Sequence, residues 1–173
     1  MSRSGPSSPA EHRASAPSVV GCFVLTVSDT RTPETDTGGT VIRELLRGSG
    51  HAVVGSRIVR DEPVEVTRVV REACADARVQ VVLLTGGTGI TSRDSTFEAV
   101  EALLDKRLPG FGELFRVLSY EQVGAAAMLS RAQMGVHARR IVVSLPGSPD
   151  ACRLALEKLL LPELGHLVRE VGR

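Results

Sequence analysis

The chain has 173 residues and a formal net charge of +1, with 42% hydrophobic and 24% charged residues. This length and balance suit one soluble globular domain with a buried core. The low net charge argues against a nucleic-acid partner, since nucleic-acid binders usually carry a clear basic excess.

The first residues set the limits of that domain. Residues 1–17 are rich in Ser, Pro and Ala, which predicts a disordered tail ahead of a single domain at residues 18–173. The tail lacks the apolar core of a signal peptide, and no apolar run approaches the roughly 20 residues that span a bilayer. Cys22, Cys74 and Cys152 lie far apart in apolar segments, so they are predicted to be core residues of a cytoplasmic protein.

From residue 18 onward, apolar β-branched runs alternate with segments of helical periodicity. Continuous apolar runs are typical of strands buried on both faces, and they predict strands at residues 19–27, 79–84 and 140–145. Residues 51–59 predict a further strand with a less clean alternation. One segment with helical periodicity ends at Ser49, a second begins at Pro63, and two more span residues 95–106 and 113–134. A fifth follows Ser148, and a short helix is predicted at the C-terminus. This alternation predicts an α/β sandwich on a mostly parallel sheet with right-handed crossovers.

Three polar loops follow predicted strands of this sheet. They span residues 28–39, 85–94 and 146–150 and are rich in Gly, Ser, Thr and Asp. In open α/β sheets a ligand binds beyond the carboxyl ends of the strands. We therefore expect the three loops to share one rim and to form the ligand site.

The loop after the third strand has almost no side chains, and we call residues 85–89 the glycine loop. Its sequence is Thr85-Gly86-Gly87-Thr88-Gly89. Glycines permit positive φ and close approach of a ligand, and successive N–H groups can cradle a phosphate, with two threonine hydroxyls as further donors. The alternative is a tight strand-to-helix turn without a ligand. The loop is neither a Walker loop nor a dinucleotide fingerprint, because the Lys-Ser/Thr pair and the G-x-G-x-x-G spacing are missing.

Two charged residues follow the glycine loop. Asp94 could cap the next helix, but Ser95 and Glu98 already form a capping box, which would leave Asp94 free to face the rim. Arg93 is predicted either to clamp a phosphate or to be solvated.

A second carboxylate, Asp61, follows the second strand, with helix capping ahead of Pro63 as the alternative role. Carboxylates beside a phosphate site fit Mg²⁺, which usually takes one or two carboxylates, phosphate oxygens and waters. Asp29 and Ser148 also follow strands and could face a ligand. The alternative roles are a loop turn for Asp29 and a helix N-cap for Ser148. The isolated histidines argue against a His-ligated metal, and the sequence contains no Ser-His-Asp elbow.

Several motifs occur in a characteristic order: SDT after the first strand, then TGGTGITSRDST, LPGFGELFR, SYEQVGAAAMLSRA and LPGSPDACRLALEKLLLPELGHL. In this order they resemble the MogA/MoaB family of molybdenum-cofactor biosynthesis, and the endings lean toward the MoaB branch. The resemblance covers residues 19–168, and the ordered run of motifs is far more specific than any one of them.

The resemblance implies a three-layer α/β/α sandwich, molybdopterin-binding-like, that assembles as trimers, or as hexamers in the MoaB branch. It implies binding of molybdopterin, a pterin dithiolene with a terminal phosphate, and transfer of AMP from Mg-ATP to that phosphate with release of pyrophosphate. The product would be handed to the molybdenum-insertion protein. The family's two functional acidic residues fall on Asp61 and Asp94, which would be catalytic and would position Mg²⁺.

The resemblance also implies a substrate pocket built from the rim loops and from two serines and an arginine farther along the chain. The implied binding residues are Ser28, Asp29, Thr85, Gly86, Gly87, Thr88, Gly89, Arg93, Ser119, Ser130, Arg131, Pro146, Gly147 and Ser148. Two other functions remain open on the residues alone. One is a protein of the same fold that binds molybdopterin or serves as a scaffold without turnover. The other is an unrelated nucleotide-binding protein such as a dehydrogenase, which the missing dinucleotide fingerprint disfavours.

Overall fold

The structure is a computed structural model, and it describes residues 17–173. The predicted tail lies outside the described residues except for Pro17. The six strands are β1 (Gly21–Val27), β2 (Ala52–Val59), β3 (Val81–Thr85), β4 (Lys106–Arg107), β5 (Gln133–His137) and β6 (Arg140–Leu145). The α-helices are α1 (Thr37–Gly48), α2 (Pro63–Ala75), α3 (Thr96–Leu103), α4 (Pro109–Val123), α5 (Pro149–Ala155) and α6 (Leu164–Gly172). A 3-10 helix (Gly124–Leu129) follows α4, and a π-helix (Leu156–Leu160) continues α5.

The strands form one mixed sheet in the order β2-β1-β3-β6-β5-β4. The first four strands in this order are parallel, while β5 pairs antiparallel with both β6 and β4. The prediction of a mostly parallel sheet is therefore confirmed. Because the four parallel strands point the same way, their carboxyl ends meet at one edge, and the site loops start there.

The sheet is covered by helices on both faces, which explains why its central strands are apolar throughout. Successive side chains of a strand point to opposite faces. On one face Val24 and Leu83 pack in a core with α1, α4, α5 and α6, while on the other face Leu25 and Leu84 pack with α2 and α3. All of these side chains are fully buried, and each such burial contributes roughly 1.5–3 kcal/mol.

The antiparallel edge of the sheet was not predicted. The predicted helix at residues 113–134 is wrong beyond Val123, because the chain there forms the 3-10 helix and then enters β5. The predicted helix at residues 95–106 ends at Leu103, ahead of β4. A two-residue turn with positive φ at Ala138 and Arg139 joins β5 to β6, as in type I′ hairpins.

The buried cysteines agree with the prediction from sequence. Cys22, Cys74 and Cys152 are free and buried, and burial raises the pKa of the Cys152 thiol to about 11. Within residues 17–173, no helix is long and apolar enough to cross a membrane.

Candidate functional site

The three predicted loops meet at the carboxyl edge of the parallel strands, as expected. They enclose a cavity of about 350 Å³, which we call the rim cavity. Residues of every loop line it, among them Ser28, Gly86 and Ser148. The shared rim inferred from the order of strands and loops is therefore confirmed.

The glycine loop adopts the backbone that its glycines predict. Gly86 and Gly87 have φ of 98° and 65°, a region that side-chain-bearing residues rarely occupy. A Cβ at Gly86 would lie 2.2 Å from the carbonyl oxygen of Val27, so the close approach at this position is to the protein's own backbone.

The amides of the glycine loop are only partly available to a ligand. The Gly86 N–H donates to the carbonyl of Leu145 at 3.0 Å, and the Gly89 amide contributes to lowering the pKa of the Asp94 carboxyl. The N–H groups of Gly87 and Thr88 have no partner among the described residues. The predicted phosphate cradle thus reduces to two adjacent amides.

The two threonines of the glycine loop are buried. Thr85 Oγ1 donates to the carbonyl of Pro146 at 2.9 Å. The hydroxyl that was predicted to bind a ligand is thus bound to a protein group here. This bond joins the loops after β3 and β6 from inside. Thr88 is 5% exposed, and its carbonyl accepts from the Arg131 guanidinium at 3.0 Å.

Asp61 is built into the start of α3. Its Oδ1 accepts from the Ser95 amide at 3.3 Å, the Ser95 hydroxyl at 2.9 Å and the Thr96 hydroxyl at 3.1 Å. A Cβ added at Gly87 would lie 2.5 Å from Asp61 Oδ2. Asp61 therefore caps α3 across 34 residues of sequence, and the alternative of a cap ahead of Pro63 is wrong.

Asp94 lies at the other end of the glycine loop. Its Oδ2 accepts from the amide of Thr91 at 2.9 Å and from the hydroxyl of Thr91. These bonds, led by the Thr91 hydroxyl, hold the pKa of the Asp94 carboxyl below its usual range. A Cβ at Gly89 would lie 2.6 Å from Oδ2, so the carboxylate rests directly on the loop.

The predicted capping box at the start of α3 is wrong. Ser95 makes no side-chain cap, because its hydroxyl donates to Asp61 instead. Glu98 pairs with Arg131 rather than reaching back to the helix start. The cap comes from a distant carboxylate, and Asp94 is left outside the helix as predicted.

Arg93 joins the loops after β1, β2 and β3. It binds Asp29 at 2.9 Å and Glu62 at 3.1 Å, while 59% of its side chain stays exposed. Arg93 holds the pKa of the Asp29 carboxyl below its usual range, and Asp29 Oδ1 also accepts from the Asp61 amide at 3.3 Å. The two aspartates and Arg93 thus form one rim network.

Arg131 supports the glycine loop from the side. It donates to the carbonyls of Thr88 and Gly89, pairs with Glu98 and stacks 4.9 Å above the ring of Phe97. Its guanidinium is therefore occupied by the protein, and it acts here to position the loop.

The remaining predicted residues divide between two neighbouring cavities. Gly147 and Ser148 line the rim cavity, and Ser28 does so while its Oγ accepts from the amides of Thr30 and Arg31. Ser148 is the N-cap of α5, accepting from the Ala151 amide at 3.3 Å. A second cavity of about 330 Å³, the side cavity, is lined by Ser119, Ser130, Pro146 and Ser148.

The metal prediction rests on the chemistry of the two carboxylates. No group of three or more His, Cys, Asp or Glu side chains within residues 17–173 could hold a metal ion. Asp61 accepts from Ser95 and Thr96 through Oδ1, and Asp94 accepts from Thr91 through Oδ2. Carboxylate oxygens of this kind are ligands that Mg²⁺ combines with phosphate oxygens and waters.

Asp36 and Arg31 were missed by the sequence reasoning. Asp36 is 3% exposed, caps α1, and accepts from the Thr26 hydroxyl and from Arg43, each at 3.0 Å. Both Asp36 and Arg31 line the rim cavity. The signal for Asp36 was an acidic residue just ahead of a helix start, a common N-cap pattern.

Comparisons with known proteins agree with this fold. Residues 23–166 match the family model described as a probable molybdopterin binding domain. The chain is 52% identical over 164 residues to the molybdenum cofactor biosynthesis protein B of Bacillus cereus, covering 94% of this chain and 97% of that protein.

Solved structures extend the similarity to three dimensions. A crystal structure of a molybdenum cofactor biosynthesis protein B superposes with a TM-score of 0.89 at 52% identity, covering 91% of this chain and 99% of that one. The molybdopterin biosynthesis enzyme MoaB of Thermus thermophilus gives a TM-score of 0.78 at 37% identity, with 89% and 98% covered. The sheet and its flanking helices are thus the molybdopterin-binding fold. With half of its residues identical to MoaB proteins over nearly its whole length, the chain belongs to the MogA/MoaB family of molybdenum cofactor biosynthesis proteins.

Proposed function

We propose that the chain binds molybdopterin and transfers AMP from Mg-ATP to its terminal phosphate, with release of pyrophosphate. The observation that carries the proposal is the placement of two carboxylates, Asp61 and Asp94, against Gly87 and Gly89 of one loop. The two amides without a partner among the described residues, those of Gly87 and Thr88, lie in the same stretch of the loop. Membership of the MogA/MoaB family supports molybdopterin as the ligand.

In this proposal the molybdopterin phosphate lies against the N–H groups of Gly87 and Thr88. One of its oxygens attacks the α-phosphorus of ATP and forms a new P–O bond. The bond from that phosphorus to the oxygen bridging to the β-phosphate breaks, and pyrophosphate leaves. The attacking oxygen is already anionic, so the site needs no strong general base, which agrees with the absence of histidine from the described lining of the rim cavity.

The chain's own contribution is positioning and charge. The rim loops hold the two substrates in line, which removes much of the entropic cost of bringing them together. Asp94 and Oδ2 of Asp61 would hold Mg²⁺. When bound, the ion offsets the negative charge of the reacting phosphates.

The first test is pyrophosphate release from Mg-ATP, measured with and without molybdopterin. We expect pterin-dependent release by the wild type and a loss on the order of a hundredfold in Asp94→Asn, because a carboxylate that would hold the charge-neutralising Mg²⁺ is removed. Glu44→Gln, on the exposed side of α1, carries the same charge change away from the rim and should keep wild-type release. Unchanged turnover in Asp94→Asn would remove Asp94 from the proposed chemistry.

A binding protein or scaffold without turnover is the second candidate. The observation that favours it is the commitment of Asp61 to three hydrogen bonds at the start of α3. Molybdopterin binding with no pyrophosphate release from the wild type would select this candidate over the transferase.

We also propose that copies of the chain associate, as the family resemblance implies for trimers or hexamers. Large apolar side chains are exposed on α4 and the 3-10 helix: Leu114, Val117, Tyr120, Val123, Met128 and Leu129, each 54–74% exposed. Several large apolar side chains exposed on two consecutive elements favour an interface at this part of the chain. Sedimentation should show an oligomer that Val117→Glu dissociates, whereas a wild-type monomer would refute the proposal.

The molybdenum-insertion protein remains the proposed recipient of the product.

A further inference from the structure

A cavity of about 800 Å³ opens beyond the rim, between α1 and β2. Five arginines line it, against the three carboxylates of Asp29, Asp36 and Glu65. We call it the arginine cleft; its arginines are Arg31, Arg43, Arg47, Arg57 and Arg60. Its volume is in the range of small-molecule sites.

Only two of these arginines are neutralised by carboxylates. Arg43 binds Asp36 at 3.0 Å, and Arg57 binds Glu72 at 2.9 Å. The other three, Arg31, Arg47 and Arg60, form no ion pair within residues 17–173.

The three carboxylates of the cleft offset only part of its charge: Arg60 interacts with Asp29, while Glu65 forms no ion pair within residues 17–173. Asp36 is already bound to Arg43, and Asp29 is bound from outside the cleft by Arg93 at 2.9 Å. The cleft therefore keeps an excess of positive charge although the chain as a whole is nearly neutral.

The three unpaired arginines come from separate elements. Arg31 follows β1, Arg47 lies in the last turn of α1, and Arg60 follows β2. Bringing like charges to one concave surface is unfavourable unless an anion binds there. Guanidinium groups pair with phosphate oxygens through two parallel hydrogen bonds, so several of them suit a ligand with more than one phosphate.

The arginine cleft is continuous with the rim cavity, because Ser28, Arg31 and Asp36 line both. We propose that the cleft binds a polyphosphate anion, either the phosphate chain of a nucleoside triphosphate or free pyrophosphate. The choice of polyphosphate rests on the proposed function, whose co-substrate and product carry this group. A polyphosphate in the cleft would lie next to a phosphate held at the glycine loop.

The test is calorimetric titration of the full chain with sodium pyrophosphate, ATP and AMP, without molybdopterin. The variant is Arg47→Ala with Arg60→Ala; both side chains are exposed, so the fold should be preserved. The matched control is Arg71→Ala with Arg153→Ala, which removes the same charge from exposed helix positions outside the cleft. Thermal unfolding checks both proteins.

We expect pyrophosphate and ATP to bind the wild type more tightly than AMP does. Affinity should fall about a hundredfold in the cleft variant, because removal of each charge-assisted hydrogen-bonding arginine weakens binding about tenfold. In the control it should fall about threefold or less. Tighter binding of ATP than of pyrophosphate assigns the cleft to the nucleotide, and the reverse assigns it to the free product. Equal decreases in both double variants, or no binding of pyrophosphate by the wild type, would overturn the proposal.

The result is separable from that of the transfer assay. Pyrophosphate binding that depends on Arg47 and Arg60 in a chain without AMP transfer retains the anion cleft and rejects the transferase. AMP transfer that is insensitive to these substitutions, with no pyrophosphate binding to the wild type, retains the transferase and rejects the cleft.

Discussion

The glycine loop lies against one aspartate, Asp61, at Gly87 and against another, Asp94, at Gly89, and we call these contacts the Asp61 end and the Asp94 end of the loop. The two aspartates have different surroundings. At one end, Asp61 is 7% exposed and accepts three hydrogen bonds from the start of α3. At the other, Asp94 is half-buried, and its bonds come from Thr91 in the same loop. Asp61 thus joins separate parts of the fold, whereas Asp94 is held locally. We therefore expect folding to depend more on Asp61 and the proposed chemistry to depend more on Asp94.

The largest effect is expected from Gly87→Ala. The new Cβ would lie 2.2 Å from Thr96 Oγ1 and 2.5 Å from Asp61 Oδ2, at a residue with φ of 65°. Backbone strain and overpacking together should lower the free energy of unfolding by about 3 kcal/mol, measured by urea denaturation.

Gly110→Ala is the control for this substitution. A Cβ at Gly110 meets nothing within 4 Å, so the free energy of unfolding should change by no more than about 0.5 kcal/mol. If Gly87→Ala were as mild as Gly110→Ala, the tight packing at the Asp61 end would not matter for stability.

The second prediction compares alanine at the two aspartates. Asp61→Ala leaves the Ser95 amide and the Ser95 and Thr96 hydroxyls without an acceptor in a buried setting, which should cost about 2–3 kcal/mol. Asp94→Ala should cost about 1 kcal/mol or less, because Thr91 is exposed and its donors can bind water. Urea denaturation of both variants measures the difference, and the reverse order would show that Asp94 is the structural carboxylate.

The parallel part of the fold could be predicted because its signals are local. The buried runs at β1, β3 and β6 are apolar on both faces, and the Gly, Ser and Asp residues that follow them mark the rim. The β5–β6 hairpin gave no such signal. Its turn places Ala138 and Arg139 at positive φ, where Asn-Gly or Asp-Gly would ordinarily mark a hairpin.

The partners of the site residues could not be predicted for a different reason. Ser95 has the sequence pattern of a helix cap, yet its hydroxyl donates to the carboxylate of Asp61, 34 residues earlier. Arg93 likewise meets Asp29 across 64 residues. Such pairings depend on which loops the sheet brings together, and local sequence carries no information about them.

Gly89→Ala is the last prediction and the sharpest test of the comparison, because a small effect on stability and a large effect on activity are expected together. The new Cβ would lie 2.6 Å from Asp94 Oδ2, the end of a side chain that can rotate away, and φ at Gly89 is not in the left-handed region. The free energy of unfolding should therefore fall by no more than about 1 kcal/mol. Pterin-dependent pyrophosphate release should nevertheless fall on the order of a hundredfold, as in Asp94→Asn, because the carboxylate is displaced. A variant that is both stable and fully active would mean that the placement of Asp94 on Gly89 has no part in the reaction. A variant destabilised as strongly as Gly87→Ala would mean that both ends of the loop serve the fold.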